Sequence, residues 1–122
     1  MPDIQLGVIE ARFAGILWQH APVTTSELVK LAEKEFGWKR TTTHTVIRRL
    51  CDKGLFENRG GTVFARISQA QFASMQSRSF VEDTFSGSLP AFLAAFTQGR
   101  RLTHEEAAAL REMIDHAEVD SQ

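Results

Sequence analysis

Two adjacent glycines, Gly60-Gly61, sit between two short β-like runs, and a helix-like stretch with a threonine- and arginine-rich side stands just before them. The runs are Leu55-Phe56-Glu57-Asn58 and Thr62-Val63-Phe64-Ala65-Arg66-Ile67. Arg59-Gly60-Gly61 between them is the turn signal of a β-hairpin. In the preceding stretch Val46, Ile47 and Leu50 recur at helical spacing, with Thr43 on the same side one turn earlier. At about 100° per residue the opposite side collects Thr41, Thr45 and Arg48, with Thr42 and Arg49 on one shoulder and His44 on the other. Lys53-Gly54 closes this helix. A helix buried on one side only, tied to a hairpin by a two-residue link, leaves few folds open.

Upstream the sequence predicts two more helices. Leu6, Ile9, Phe13, Ile16 and Leu17 share one face of a helix from about Leu6 to Trp18, which Pro22 prevents from continuing. Thr24-Thr25-Ser26-Glu27 has the capping-box pattern, with Thr24 as cap and Glu27 reaching back. The helix it opens carries Leu28, Leu31 and Ala32 and ends near Phe36-Gly37, where glycine suits the left-handed cap. Trp18 and Trp38 flank this second helix as packing anchors. Three helices and a hairpin wing form a winged helix-turn-helix, expected over residues 1–67.

A helix of this kind fits the DNA major groove. Short threonine side chains let its backbone approach base edges, and arginine supplies forked donors to guanine or phosphate. The expected DNA-binding residues are Lys39, Arg40, Thr41, Thr42, Thr45, Arg48 and Arg49, with Arg59 at the wing tip. Thr41 has an alternative role as helix cap, and Thr43 is expected in the core. The competing use of such a domain is protein contact, as an interaction adaptor without operator binding.

Charge is segregated along the chain. The net charge is −1, but residues 1–67 hold ten Lys/Arg against seven Asp/Glu, and residues 68–122 hold four against eight. Within 38–66 there are seven basic and two acidic residues. This suits a DNA-reading head on an acidic body, although unevenly charged solvated surface gives the same count.

The rest of the chain, 68–117, reads as all-helical, so the whole is mainly α. A long helix from Gln69 to Ser86 carries Phe72, Met75, Phe80, Val81 and Phe85. Gly87 breaks it, and Ser88 caps a helix with Pro90 in its first turn and Leu89, Phe92, Leu93 and Phe96 on one face. Thr103, with Glu106 at the capping-box position, opens a helix striped by Ala107, Leu110, Ile114 and Ala117. Residues 118–122 are expected to be a frayed tail. Three short helices bury little surface alone, yet these hold five phenylalanines (72, 80, 85, 92, 96). A second copy of the chain would complete the core. Phe80, Phe85, Leu89, Phe92, Leu93, Phe96, Leu110 and Ile114 are the expected dimerisation residues. The alternative is that these helices fold back onto the winged domain.

Enzyme chemistry has no support: there is no phosphate-cradling glycine loop and no nucleophile–base set. No cofactor is expected. The four histidines (20, 44, 104, 116) lack the i, i+4 pairing of a helical metal site, so no metal is expected. Cys51 is the single cysteine, which fits a small core residue in a reducing cytoplasm. Met1-Pro2-Asp3 lacks the basic start and apolar stretch of a secretion signal, and no apolar run reaches membrane-spanning length. A small-molecule sensor pocket between subunits would need convergent polar groups that these helices do not offer.

Taken in order, Leu6, Glu10, Phe13 and Ile16-Leu17-Trp18, then Ala21-Pro22-Val23-Thr24, then Trp38, Thr42, Thr45, Arg49-Leu50 and Lys53-Gly54-Leu55 resemble the penicillinase repressor family of winged-helix transcriptional repressors (the BlaI/MecI/CopY group). Ser79-Phe80, Phe85-Ser86-Gly87-Ser88-Leu89, Leu93, Phe96, Leu102-Thr103, Glu105-Glu106 and Leu110 resemble that family's dimerisation region, so the likeness covers about residues 4–116. It implies a cytoplasmic homodimer that represses genes of antibiotic resistance, β-lactamase-type or related, by binding double-stranded, palindromic operator DNA. The family's DNA-contacting positions carry over onto Thr42, Thr45 and Arg49, with Thr41, Arg48 and Arg59 beside them. In the β-lactam branch, repression ends when the dimerisation region is cut between Asn and Phe. The matching bond here is Ala95–Phe96, which keeps the Phe but not the Asn. A membrane-bound sensor metalloprotease is the implied partner for such a cut. The cysteine cluster of the copper branch is absent, and direct membrane association is not implied.

Overall fold

The computed structural model of the protein describes residues 4–117; the frayed tail expected at 118–122 lies outside the described residues. The elements run α1 (Val8–His20), β1 (Val23–Thr24), α2 (Thr25–Phe36), α3 (Arg40–Asp52), β2 (Phe56–Arg59), β3 (Thr62–Ala65), α4 (Gln69–Phe85), α5 (Leu89–Gly99) and α6 (His104–His116). They form two compact units, the first ending at Ser79 and the second beginning at Phe80, so the division falls within α4. The architecture is the expected winged helix followed by a helical region.

In the first unit α1 starts two residues later than the periodicity suggested, because Gly7 is its N-cap. Phe13, Ala14 and Leu17 carry its buried side, whereas Ile9, expected there, is 46% exposed. With Ala14 included, the buried arc centres between Phe13 and Ala14, which leaves Ile9 at its edge and brings Glu10 onto it. At the start of α2 Thr24 serves as the expected cap: the Glu27 amide donates to Thr24 Oγ1 at 3.2 Å. Gly37 ends it at φ 68°, with its N–H bonded back to the last turn.

The sheet is larger than the expected hairpin. Strand order is β1-β3-β2, all antiparallel, with Val23 opposite Val63 and Thr24 opposite Thr62. A two-residue strand has no period of its own, so β1 left no pattern in the sequence. Arg59 pairs with Thr62, which reduces the turn to Gly60-Gly61. Both glycines have positive φ, 59° and 96°, as the tight hairpin turn requires.

Phe13, Leu17, Leu28, Leu50, Leu55, Phe56 and Val63 are enclosed at the centre of this unit. Trp38 closes one side against Phe13 and Phe36. Trp18 packs between Phe56 and Phe72 and donates its indole N–H to the Ile67 carbonyl at 3.0 Å. Phe72 corrects the phenylalanine count made from sequence. Although it stands on the long helix assigned to the C-terminal body, it is 5% exposed and belongs to the core of the first unit.

The second unit holds the other four phenylalanines together. The rings of Phe80, Phe85 and Phe92 meet edge-on, with centroids 5.7–6.1 Å apart, and Phe96 lies 6.2 Å from Phe92. Ser88 caps α5 by accepting from the Ala91 amide at 3.1 Å. Thr103 and Glu106 form a reciprocal capping box at the start of α6, each backbone N–H meeting the other's side chain at 3.0 Å. Arg100 clasps the same carboxylate through two bonds of 3.1 and 2.6 Å and lies over the Phe96 ring. This guanidinium, then the Thr103 amide, hold the Glu106 carboxyl down to about 2. Among the described residues of this unit none is fully buried.

Candidate nucleic-acid interface

The third helix is oriented by its apolar side. Val46, Ile47 and Leu50 are buried, and Thr43 is buried with them, its hydroxyl and N–H both directed to the Lys39 carbonyl. With that side fixed, the helical period turns Arg40, Thr41, Thr42, Thr45, Arg48 and Arg49 outward, and all of them are exposed, as is Lys39. Lys39, in extended conformation, is the N-cap, so Thr41 lies inside the first turn and does not cap the helix. The Thr45 hydroxyl donates to the Thr41 carbonyl at 2.9 Å, which fixes its rotamer with the methyl and oxygen lone pairs free. His44, on the other shoulder, is half-buried.

On the wing, Arg59 is exposed. Its guanidinium lies 4.7 Å above the Phe64 ring and donates to the Glu57 carboxylate at 3.1 Å. That bond holds Glu57 below the usual carboxylate range and raises Arg59. At the hairpin tip the Asn58 side chain accepts from the Gly61 amide at 2.9 Å, stiffening the turn that carries Arg59. A shallow hollow between α3 and the wing is lined by His44, Ile47, Arg48, Cys51 and Asn58. Cys51 is half-buried there, and burial pushes its thiol up, away from the reactive thiolate.

An ionic clip at the far end of α3 was not legible in the sequence. Lys53, the C-cap, donates to the Gln5 carbonyl at 2.9 Å and to both Glu10 oxygens at 3.3 Å. The Gly7 amide, then Lys53 and Arg49, hold the Glu10 carboxyl below its ordinary range against the effect of burial. The signal for it was Glu10's position on the buried arc of α1, which only the packing identifies.

The residues expected to join two copies gather in the second unit. Phe85, Phe92, Leu93 and Leu110 are half-buried, while Phe80, Leu89, Phe96 and Ile114 are exposed. The Ala95–Phe96 bond lies within α5, in a turn where the Thr97 hydroxyl also bonds the Leu93 and Ala94 carbonyls. Among the described residues no helix is long and apolar enough to cross a membrane.

The family model described as "Penicillinase repressor" matches residues 6–116. The chain is 26% identical over 115 residues to a penicillinase repressor of Bacillus licheniformis, an alignment that takes in 91% of this chain and 90% of the relative. The match runs through the winged helix and the helical region alike, and its members are transcriptional regulators, not enzymes. The protein belongs to the penicillinase repressor family and is a transcriptional repressor.

Proposed function

We propose that the protein acts in the cytoplasm as a homodimer that represses genes of antibiotic resistance, β-lactamase-type or related, by binding palindromic operator DNA. The observation that carries this is the outward face of α3, where Thr42, Thr45, Arg48 and Arg49 are exposed, with Arg48 sharing a hollow with the wing's Asn58 and Arg59 exposed on the same strand. Threonine allows close approach to the groove floor, arginine reads guanine or holds phosphate, and Lys39 and Arg40 add charge at the helix start. Dimerisation is supported by the second unit, where four phenylalanines meet but no described residue is enclosed. Leu89, Met113 and Ile114 each remain more than 60% exposed, and a second copy is the partner that would cover them. Two heads on one dimer read two half-sites, hence the palindrome.

Binding is tested by enriching a duplex from a random-sequence pool with the wild-type protein, then titrating Arg49→Ala against it. Loss of one bidentate contact should weaken binding roughly fivefold to a hundredfold. Wild-type affinity should fall steeply with salt, by a slope of about 0.9 per phosphate neutralised. Equal binding by wild type and Arg49→Ala would sink the assignment of α3, and no enriched duplex would favour a protein adaptor. A monomeric mass in light scattering would overturn the dimer.

For release we propose cleavage of Ala95–Phe96, which keeps the family's Phe but not its Asn, by a membrane-bound sensor metalloprotease. The bond lies in a helix, so α5 must unwind before a protease can hold it extended. Mass spectrometry of the protein from β-lactam-treated cells should show a fragment ending at Ala95, and a chain left whole after derepression would refute that route.

A further inference from the structure

One cation at the end of α3 is already engaged within the protein. Lys53 stands one turn after Arg49 at the end of α3, where a lysine beside a DNA-reading helix would ordinarily be counted as a phosphate contact. Its surroundings argue otherwise. An ammonium group has three N–H donors, and three acceptors surround this one: Gln5 O at 2.9 Å and Glu10 Oε1 and Oε2 at 3.3 Å each. The contacts span 43 and 48 residues of sequence, and the two side chains are only 33% and 20% exposed. Glu10 is in turn anchored at the start of α1, where it accepts from the Gly7 amide at 3.3 Å. Segment 5–7, α1 and the end of α3 thus converge on one carboxylate.

Arg49 stands one turn before Lys53 on the same side of α3, near enough for its charge to act on that carboxylate as well. We infer that the Glu10–Lys53 pair is a positioning device for DNA binding: Lys53 neutralises Glu10 and fixes the end of α3, which leaves Arg49 free for DNA. Lys53 then makes no phosphate contact of its own. Removing Lys53 alone leaves Glu10 partly buried and unbalanced beside Arg49, and the carboxylate competes with DNA for the guanidinium. Removing both charges takes the competitor away as well. The inference rests on operator binding through α3 and adds Glu10 and Lys53 as positioning residues.

The test is a salt titration of wild type, Lys53→Met and the double variant Glu10→Gln/Lys53→Met on the duplex enriched by wild type. Lys53→Met should bind about fivefold more weakly with the wild-type salt slope, because no phosphate contact is lost. The double variant should recover to within about twofold of wild type, which a merely structural lysine would not allow. A slope shallower by about 0.9 in Lys53→Met would overturn the inference, since Lys53 would then neutralise a phosphate. So would a double variant that binds no better than the single one. Should Lys53→Met fail to fold, the double variant decides alone: a wild-type slope supports the pair, and a slope reduced by one contact refutes it. Wild-type protein that binds no duplex would overturn operator binding itself, an outcome distinct from a failure of Lys53→Met alone.

Discussion

Phe72→Ala is the substitution that most directly tests how the head and the long helix share a core. Phe72 stands on α4 in its first turn, yet it is 5% exposed and its ring centroid lies 5.4 Å from that of Trp18. Truncating a buried phenylalanine costs about 3–5 kcal/mol, of which about 0.5–1.5 belongs to an aromatic pair of this kind. Trp18 would lose one of its two ring neighbours, while its hydrogen bond to Ile67 would remain. For a unit of this size each kcal/mol is worth roughly 4–8 °C, so the unfolding midpoint should drop by roughly 12–40 °C. The assay is denaturation followed by tryptophan fluorescence. The chain's two tryptophans, Trp18 and Trp38, both lie in the first unit, so the signal reports on that unit. Phe80→Ala is the control, because Phe80 stands on the same helix but is 51% exposed and belongs to the second unit. A loss below about 1 kcal/mol for Phe72→Ala, or a loss equal to that of Phe80→Ala, would refute the packing argument.

Three further outcomes are expected. Thr43→Val should leave operator affinity unchanged, because Thr43 is buried and its backbone N–H already bonds the Lys39 carbonyl, whereas Thr45→Val should weaken binding about tenfold; a competition titration compares them. Glu57→Gln frees Arg59 from its carboxylate and should raise DNA affinity by up to about fivefold, seen in the same titration, since exposed pairs hold little. The Glu106 carboxyl lies near 2 in the folded chain, below its ordinary 4.5, so its contribution is present above pH 4.5 and lost as pH falls toward 2. Circular dichroism should show helix lost on acidification across that window, and Glu106→Gln should flatten the profile.

Much of the fold was legible locally. Thr24, Gly37, Ser88 and Thr103 marked helix ends through bonds that span only a few residues, and each serves as a cap in the structure. The Gly60-Gly61 turn was visible because left-handed backbone selects glycine. Legibility failed where a residue's partner lies far along the chain. Val23-Thr24 becomes a strand only because β3 is there to pair with it. Ile9 satisfied the apolar period of α1, but the burial of Ala14 rotated the helix enough to expose it. Thr41 had the chemistry of a cap, but the helix begins at Arg40, so the capping position falls two residues earlier, at Lys39.

The sequence by itself determined the order of the helices, the hairpin and the outward set of threonines and arginines on the third helix. Each of these follows from a period or a turn that the chain carries within one element. Only the tertiary structure decided that Phe72 belongs to the head, that β1 completes the sheet, and that Lys53 is held by Glu10 and Gln5 across more than forty residues of chain. Such contacts depend on how elements pack, and no local repeat along the chain records which distant side chain will meet which.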